Sequence, residues 1–128
     1  MASTLANVRL VVARVERQHA VIEELRCAAP KRVTTSRLAS RLGVSTRTVE
    51  RDIADLRQAG VPISVRTGPH GGYTMPVPGG VPPIAFTPGE MAALVVSLAA
   101  VGPYVSASAQ SAMTKLLTAV AEAPSSAR

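Results

Sequence analysis

Apolar residues recur at intervals of three and four through most of the chain, the spacing of one face of an α-helix. Leu5, Val8, Val12 and Val15 already follow it, so residues 1–14 form an N-terminal extension that can run into the first helix. Val21, Ile22 and Leu25 carry the pattern to about Ala28, and Pro30 lies beyond its end. Leu38, Ala39 and Leu42 define a second, short helix with Thr34 or Thr35 as its cap, and Val49, Ile53 and Leu56 define a third. After Gly60 the period changes. Val61–Arg66 and Tyr73–Met75 alternate as strands do, around Thr67–Gly72, where three glycines and one proline predict a hairpin loop.

The spacing between the second and third helices is the informative part. Gly43, Val44 and Ser45 leave room only for a tight turn: glycine can take the left-handed conformation that closes one helix, and Ser45 can cap the next. Two short helices joined in this way cross steeply, which is helix-turn-helix geometry, and the following hairpin would be its wing. With Val49 facing inward, Arg47, Arg51 and Gln58 project on the opposite side of the third helix, with Thr48 and Asp55 on one flank. Its exposed first turn is Ser45, Thr46, Arg47 and Thr48, followed one turn later by Arg51. A helix that enters the major groove does so by its N-terminal end, where arginine can donate two hydrogen bonds to guanine.

Beyond the wing the composition shifts. Residues 76–89 carry five prolines and three glycines, which restrict φ and remove amide donors, so residues 77–87 are read as an extended linker. Thr87, Pro88, Gly89 and Glu90 then spell a capping box with proline at the first helical position. Met91, Leu94, Val95, Leu98 and Val101 form one stripe. Ala109, Met113, Leu116 and Val120 form another after a break at Gly102 and Pro103. Two helices alone bury too little to offset their ordering entropy, so residues 88–128 are expected to dock on the N-terminal domain or to pair with a second copy.

Charge sharpens this picture. Residues 1–76 hold twelve basic and six acidic side chains and residues 77–128 two of each, so the whole formal excess of +6 belongs to the first part. A cationic domain beside a neutral one points to a polyanionic partner, double-stranded DNA before a membrane surface. The single cysteine, Cys27, allows no internal disulfide and no zinc cluster, which fits a reducing cytoplasm. The start of the chain lacks a basic leader followed by an unbroken apolar run, and Met91–Val101 is about half the length of a membrane span, so neither a secretory signal nor membrane insertion is expected. No phosphate-cradling glycine loop, metal-spaced histidine pair or paired carboxylates occur, which disfavours an enzyme and implies no cofactor.

The run Leu38–Gly60, which contains Ser45, Thr46, Arg47, Thr48, Val49, Glu50, Arg51, Asp52, Ile53, Ala54, Asp55 and Leu56, closely resembles the N-terminal reader of WYL-domain bacterial transcription regulators. Gly71, Gly72 and Tyr73 extend the resemblance, as do Leu25–Pro30 upstream and Pro82, Pro83 and Phe86–Glu90 downstream. The resemblance implies a DeoR-like winged helix-turn-helix, sequence-specific DNA binding as repressor or activator, and a homodimer. Carried over by position, Ser45, Thr46, Arg47, Thr48 and Arg51 match the family's reading helix. Members ordinarily continue into an effector-sensing domain named for a Trp-Tyr-Leu signature; these 128 residues carry no tryptophan, so they are read as either a natural short form or a reader cut from a longer protein.

The expected architecture is thus mainly α with a small β-hairpin: a winged helix-turn-helix over residues 15–76 followed by a C-terminal helical pair. The candidate DNA contacts are Thr35, Arg37, Ser45, Thr46, Arg47, Thr48 and Arg51, with Arg66 and His70 on the wing reaching backbone or minor groove. Arg37 and Arg41, four residues apart, can together grip phosphates from helix two. Each has a plainer reading. Arg47 and Arg51 can be a solvated face paired with Glu50 and Asp55, and His70 a solvated loop residue. Asp52 is expected to orient a group of helix two or the wing, Tyr73 to staple the wing to the helices, His19 to pack, and Cys27 to be a small core or surface thiol. The competing function is a winged helix used for protein association, with the C-terminal helices as its interface.

Overall fold

The computed structural model describes residues 2–77, 79–102 and 105–123, and for residues 2, 3 and 5–12 the backbone alone. Leu5, Val8, Val12 and Pro103 therefore lie outside the described side chains. The described residues form a winged helix-turn-helix, with five helices in all and one two-stranded antiparallel hairpin. The chain divides into two compact units between Gly80 and Val81.

In the first unit, α1 (Ala2–Ala28) is one uninterrupted helix, so the N-terminal extension and the first helix are continuous. α2 (Thr35–Leu42) and α3 (Thr46–Gln58) follow, then β1 (Ser64–Arg66) and β2 (Gly72–Thr74). Val21 and Leu25 of α1, Leu38 and Ala39 of α2, and Val49, Ile53 and Leu56 of α3 are buried in one core with Val33, Ile63 and Tyr73. Ile22 and Leu42 pack against it half-buried. Over the described side chains, α1 from Val21 onward, α2 and α3 bury most of the stripe that their period marks, and full burial of a residue such as Leu25 or Leu38 contributes about 1.5–3 kcal/mol.

The hairpin is shorter than the alternation implies. Ser64 pairs with Thr74, Val65 with Tyr73 and Arg66 with Gly72. Pro62 has no amide to donate, and Ile63 instead donates to the carbonyl of Val61, so strand pairing begins only at Ser64. A third segment joins the sheet: Val33 and Tyr73 exchange both backbone hydrogen bonds at 2.9 Å, which ties the α1–α2 connection to the wing. A single bridged residue has no alternation to betray it in the sequence.

In the second unit, α4 (Pro88–Val101) starts with the capping box that its sequence spells. Thr87 Oγ1 accepts from the Glu90 amide at 3.2 Å and the Glu90 carboxylate accepts from the Thr87 amide at 2.9 Å. These bonds hold the Glu90 carboxyl below its ordinary pKa. α5 (Ala107–Glu122) is capped by Ser106 and buries Ala109 and Met113. The apolar stripes are only partly covered: Leu94 and Val120 are exposed, and outside the stripes Leu117 and Val96 are exposed as well. The described residues 75–87 carry neither helix nor strand.

Candidate nucleic-acid interface

The turn between α2 and α3 is built from two caps and one glycine. Thr34, not Thr35, caps α2: its Oγ1 accepts from the Arg37 amide at 3.1 Å. Gly43 closes the helix in the left-handed region, at φ 67° and ψ 35°, and the amide of Val44 returns to the carbonyl of Ala39 at 3.0 Å. Ser45 then caps α3, accepting from the Thr48 amide at 3.1 Å, while its hydroxyl and that of Thr48 lie 3.0 Å apart. Three residues reverse the chain because each has a backbone partner or a conformation of its own to adopt.

This geometry presents the start of α3 to solvent. Ser45, Thr46, Arg47 and Arg51 are exposed and Thr48 is half-buried beside its cap. The positive end of the helix dipole and the unpaired amides of the first turn lie beside the same residues. Arg37 at the start of α2 and Arg66 and His70 in the wing are exposed as well. Thr35 is half-buried, and its hydroxyl donates to Tyr73 Oη at 3.0 Å. Tyr73 therefore fastens the wing through its ring in the core, its backbone to Val33 and its hydroxyl to α2. A cleft of ≈ 420 Å³ runs between the wing and the N-terminus of α2, with Thr35, Glu50, Arg66 and Pro69 among its lining residues.

Among the described residues, three arginines of this unit are paired with acids. Arg17, Arg26 and Arg41 are held by Asp52, Glu23 and Glu24, and hydrogen bonding to those carboxylates raises each guanidinium pKa above its ordinary value. Among the described residues, Arg37, Arg47, Arg51 and Arg66 have no carboxylate partner, and neither do Arg14, Arg32 and Arg57, the last of which donates to the Ile63 carbonyl at 3.0 Å. Glu50 and Asp55 do not pair with Arg47 or Arg51, so the self-neutralised helix face is absent.

Two expectations need correction. Arg41 is not free to act with Arg37: although the two share a face of α2, its Nε donates to Glu24 of α1 at 2.6 Å. Asp52 orients neither α2 nor the wing. It is 1% exposed and accepts a forked hydrogen bond from Arg17 of α1, one branch from Nε and the other from Nη2 at 3.0 Å. Sequence reasoning missed Arg17 because its partner is 35 residues away; the one available signal was an acid on the apolar side of α3, which requires a cation opposite it.

Among the described residues no helix is long and apolar enough to cross a membrane, and no group of histidine, cysteine or carboxylate side chains could hold a metal ion. No solved structure matches the chain. The profile of a protein family described as an HTH domain matches residues 17–74, from the arginine that grips Asp52 to the last residue of the wing. Over that stretch the chain is similar to helix-turn-helix domains.

Proposed function

We propose that the protein is a sequence-specific transcription regulator that inserts the N-terminal end of α3 into the major groove of double-stranded DNA. Arg47 and Arg51 are the base-reading side chains. Ser45, Thr46 and Thr48 supply hydroxyls and backbone amides at the groove edge, and Arg37 beside Thr35 meets the flanking phosphates. Arg66 and His70 carry the wing to the backbone or the adjacent minor groove. The observation that supports this reading best is the state of the arginines around the start of α3: Arg37, Arg47 and Arg51 are exposed and none is held by a carboxylate, whereas Arg17, Arg26 and Arg41 are. An unpaired guanidinium group is a donor in search of an anion or a base edge.

The resemblance to WYL-domain regulators supports the same reading and extends it. On that basis the protein works in the bacterial cytoplasm as a homodimer, joined through its C-terminal helices, and recognises two half-sites about one DNA turn or a multiple of it apart. The exposed Leu94, Val96 and Leu117 supply apolar surface for such pairing. Selection from a pool of random duplexes, followed by sequencing, tests the reading. The expected outcome is an enriched motif of two related halves; a pool that emerges unchanged would favour the protein-association reading instead.

A further inference from the structure

A second basic site lies on the outer face of the wing sheet. In an antiparallel pair successive side chains alternate between faces, so Ser64, Arg66, Gly72 and Thr74 share the face opposite to Tyr73. Arg32 joins them from the α1–α2 connection, because Val33 beside it is bridged to Tyr73. These residues line an open cleft of ≈ 340 Å³ together with Pro30 and with Val65 at the sheet edge.

Gly72 makes the approach possible. A Cβ there would stand 2.8 Å from the Val33 carbonyl oxygen and 3.4 Å from Arg32 Cβ, and its φ of 150° is one that other residues rarely adopt. With no side chain between them, Arg32 and Arg66 flank one glycine from opposite sides. Both are exposed, neither has a carboxylate partner, and among the described residues no carboxylate lines the cleft. Like charges set across a sheet repel, and a chain that brings two of them together without an acid leaves the balance to a bound anion.

We infer that this cleft is a phosphate-binding site, with Arg32 and Arg66 holding the oxyanion and the hydroxyls of Ser64 and Thr74 available as further donors. The inference rests on the proposed DNA reading for the source of that phosphate, a backbone phosphate of the bound duplex; a small free phosphate compound is the other source of the same chemistry. Arg32 then acts as a sequence-independent anchor on the opposite side of the wing from α2.

The test has two arms, with the Arg47→Ala variant as control. In the first, affinity of the full chain for the selected duplex and for random duplex is measured against salt. Arg32→Ala should lower the slope of log affinity against log salt by about 0.9, one phosphate, and leave the ratio of selected to random affinity unchanged. In the second, pyrophosphate is titrated while the Gly72 amide resonance is followed. A lowered slope assigns the site to DNA. An unchanged slope with a Gly72 shift that Arg32→Ala abolishes assigns it to a small phosphate compound. An unchanged slope and no shift overturn the inference, and if Arg47→Ala meanwhile loses discrimination, the DNA reading stands without it. A chain that binds no duplex yet shows the pyrophosphate shift retains the cleft and loses the DNA reading.

Discussion

Replacing Arg17 by methionine should unfold this domain far more readily than the loss of one surface charge would. Asp52 is 1% exposed, whereas the Arg17 side chain is 26% exposed, so the carboxylate depends on this one partner and the guanidinium retains a path to water. Arg17→Met keeps much of the apolar stem but strands a buried negative charge, at a cost of about 3–5 kcal/mol. Asp52→Asn leaves an arginine that can turn to solvent and should cost less, about 1.5–3 kcal/mol for the charged hydrogen bonds. The double variant Arg17→Met with Asp52→Leu removes both charges and should lie within about 1 kcal/mol of the parent, since a packed apolar pair has no desolvation to offset. Urea unfolding followed by far-UV circular dichroism measures all three, provided that the slopes agree. A loss below about 1 kcal/mol for Arg17→Met, or an equal loss for the double variant, would show that the ion pair does not bind α1 to α3 in the way described.

Two further outcomes follow from local geometry. Gly43→Ala should cost roughly 1–2 kcal/mol in the same unfolding experiment: no atom stands within 4 Å of the added Cβ, so the cost is that of the left-handed backbone alone. Gly43→Asn should cost less, and equal losses would point to a clash instead. In the second unit, the lowered Glu90 pKa means that the cap contributes fully above the free carboxyl value of about 4.3 and is lost as pH falls through the lower folded value. The amide resonances of Thr87 and Glu90 should report loss of the cap at acid pH, and Glu90→Gln should abolish that dependence. A Glu90 titration at or above the free value would contradict it.

How far the sequence reveals this molecule depends on the range of the interaction. The buried stripes of α1, α2 and α3 repeat within a few residues, and the caps Ser45 and Thr87 act on amides three positions ahead, so both are readable locally. Gly43 is readable for the same reason. The partners of Arg41 and Asp52 are not, since each is set by how α1 crosses the other two helices. Arg37 and Arg41 look equivalent along α2, and only Glu24, 17 residues upstream, separates their roles. The Val33 bridge, which brings Arg32 to the wing, leaves no periodic trace at all. In α4 and α5 the periodicity marks apolar stripes but not their cover: with so few elements in the unit, Leu94 and Val120 of those stripes remain at the surface.

Discrimination between duplexes by the Arg47→Ala variant bears most directly on the claim that the exposed start of α3 reads bases. Affinities of parent and variant for the selected and random duplexes, at one fixed salt concentration, give the ratio that matters. Arg47 is exposed and unpaired, so its removal should leave folding intact and lower that ratio by about 1–3 kcal/mol, or roughly 5- to 150-fold. A variant that separates the two duplexes as well as the parent does would contradict the account.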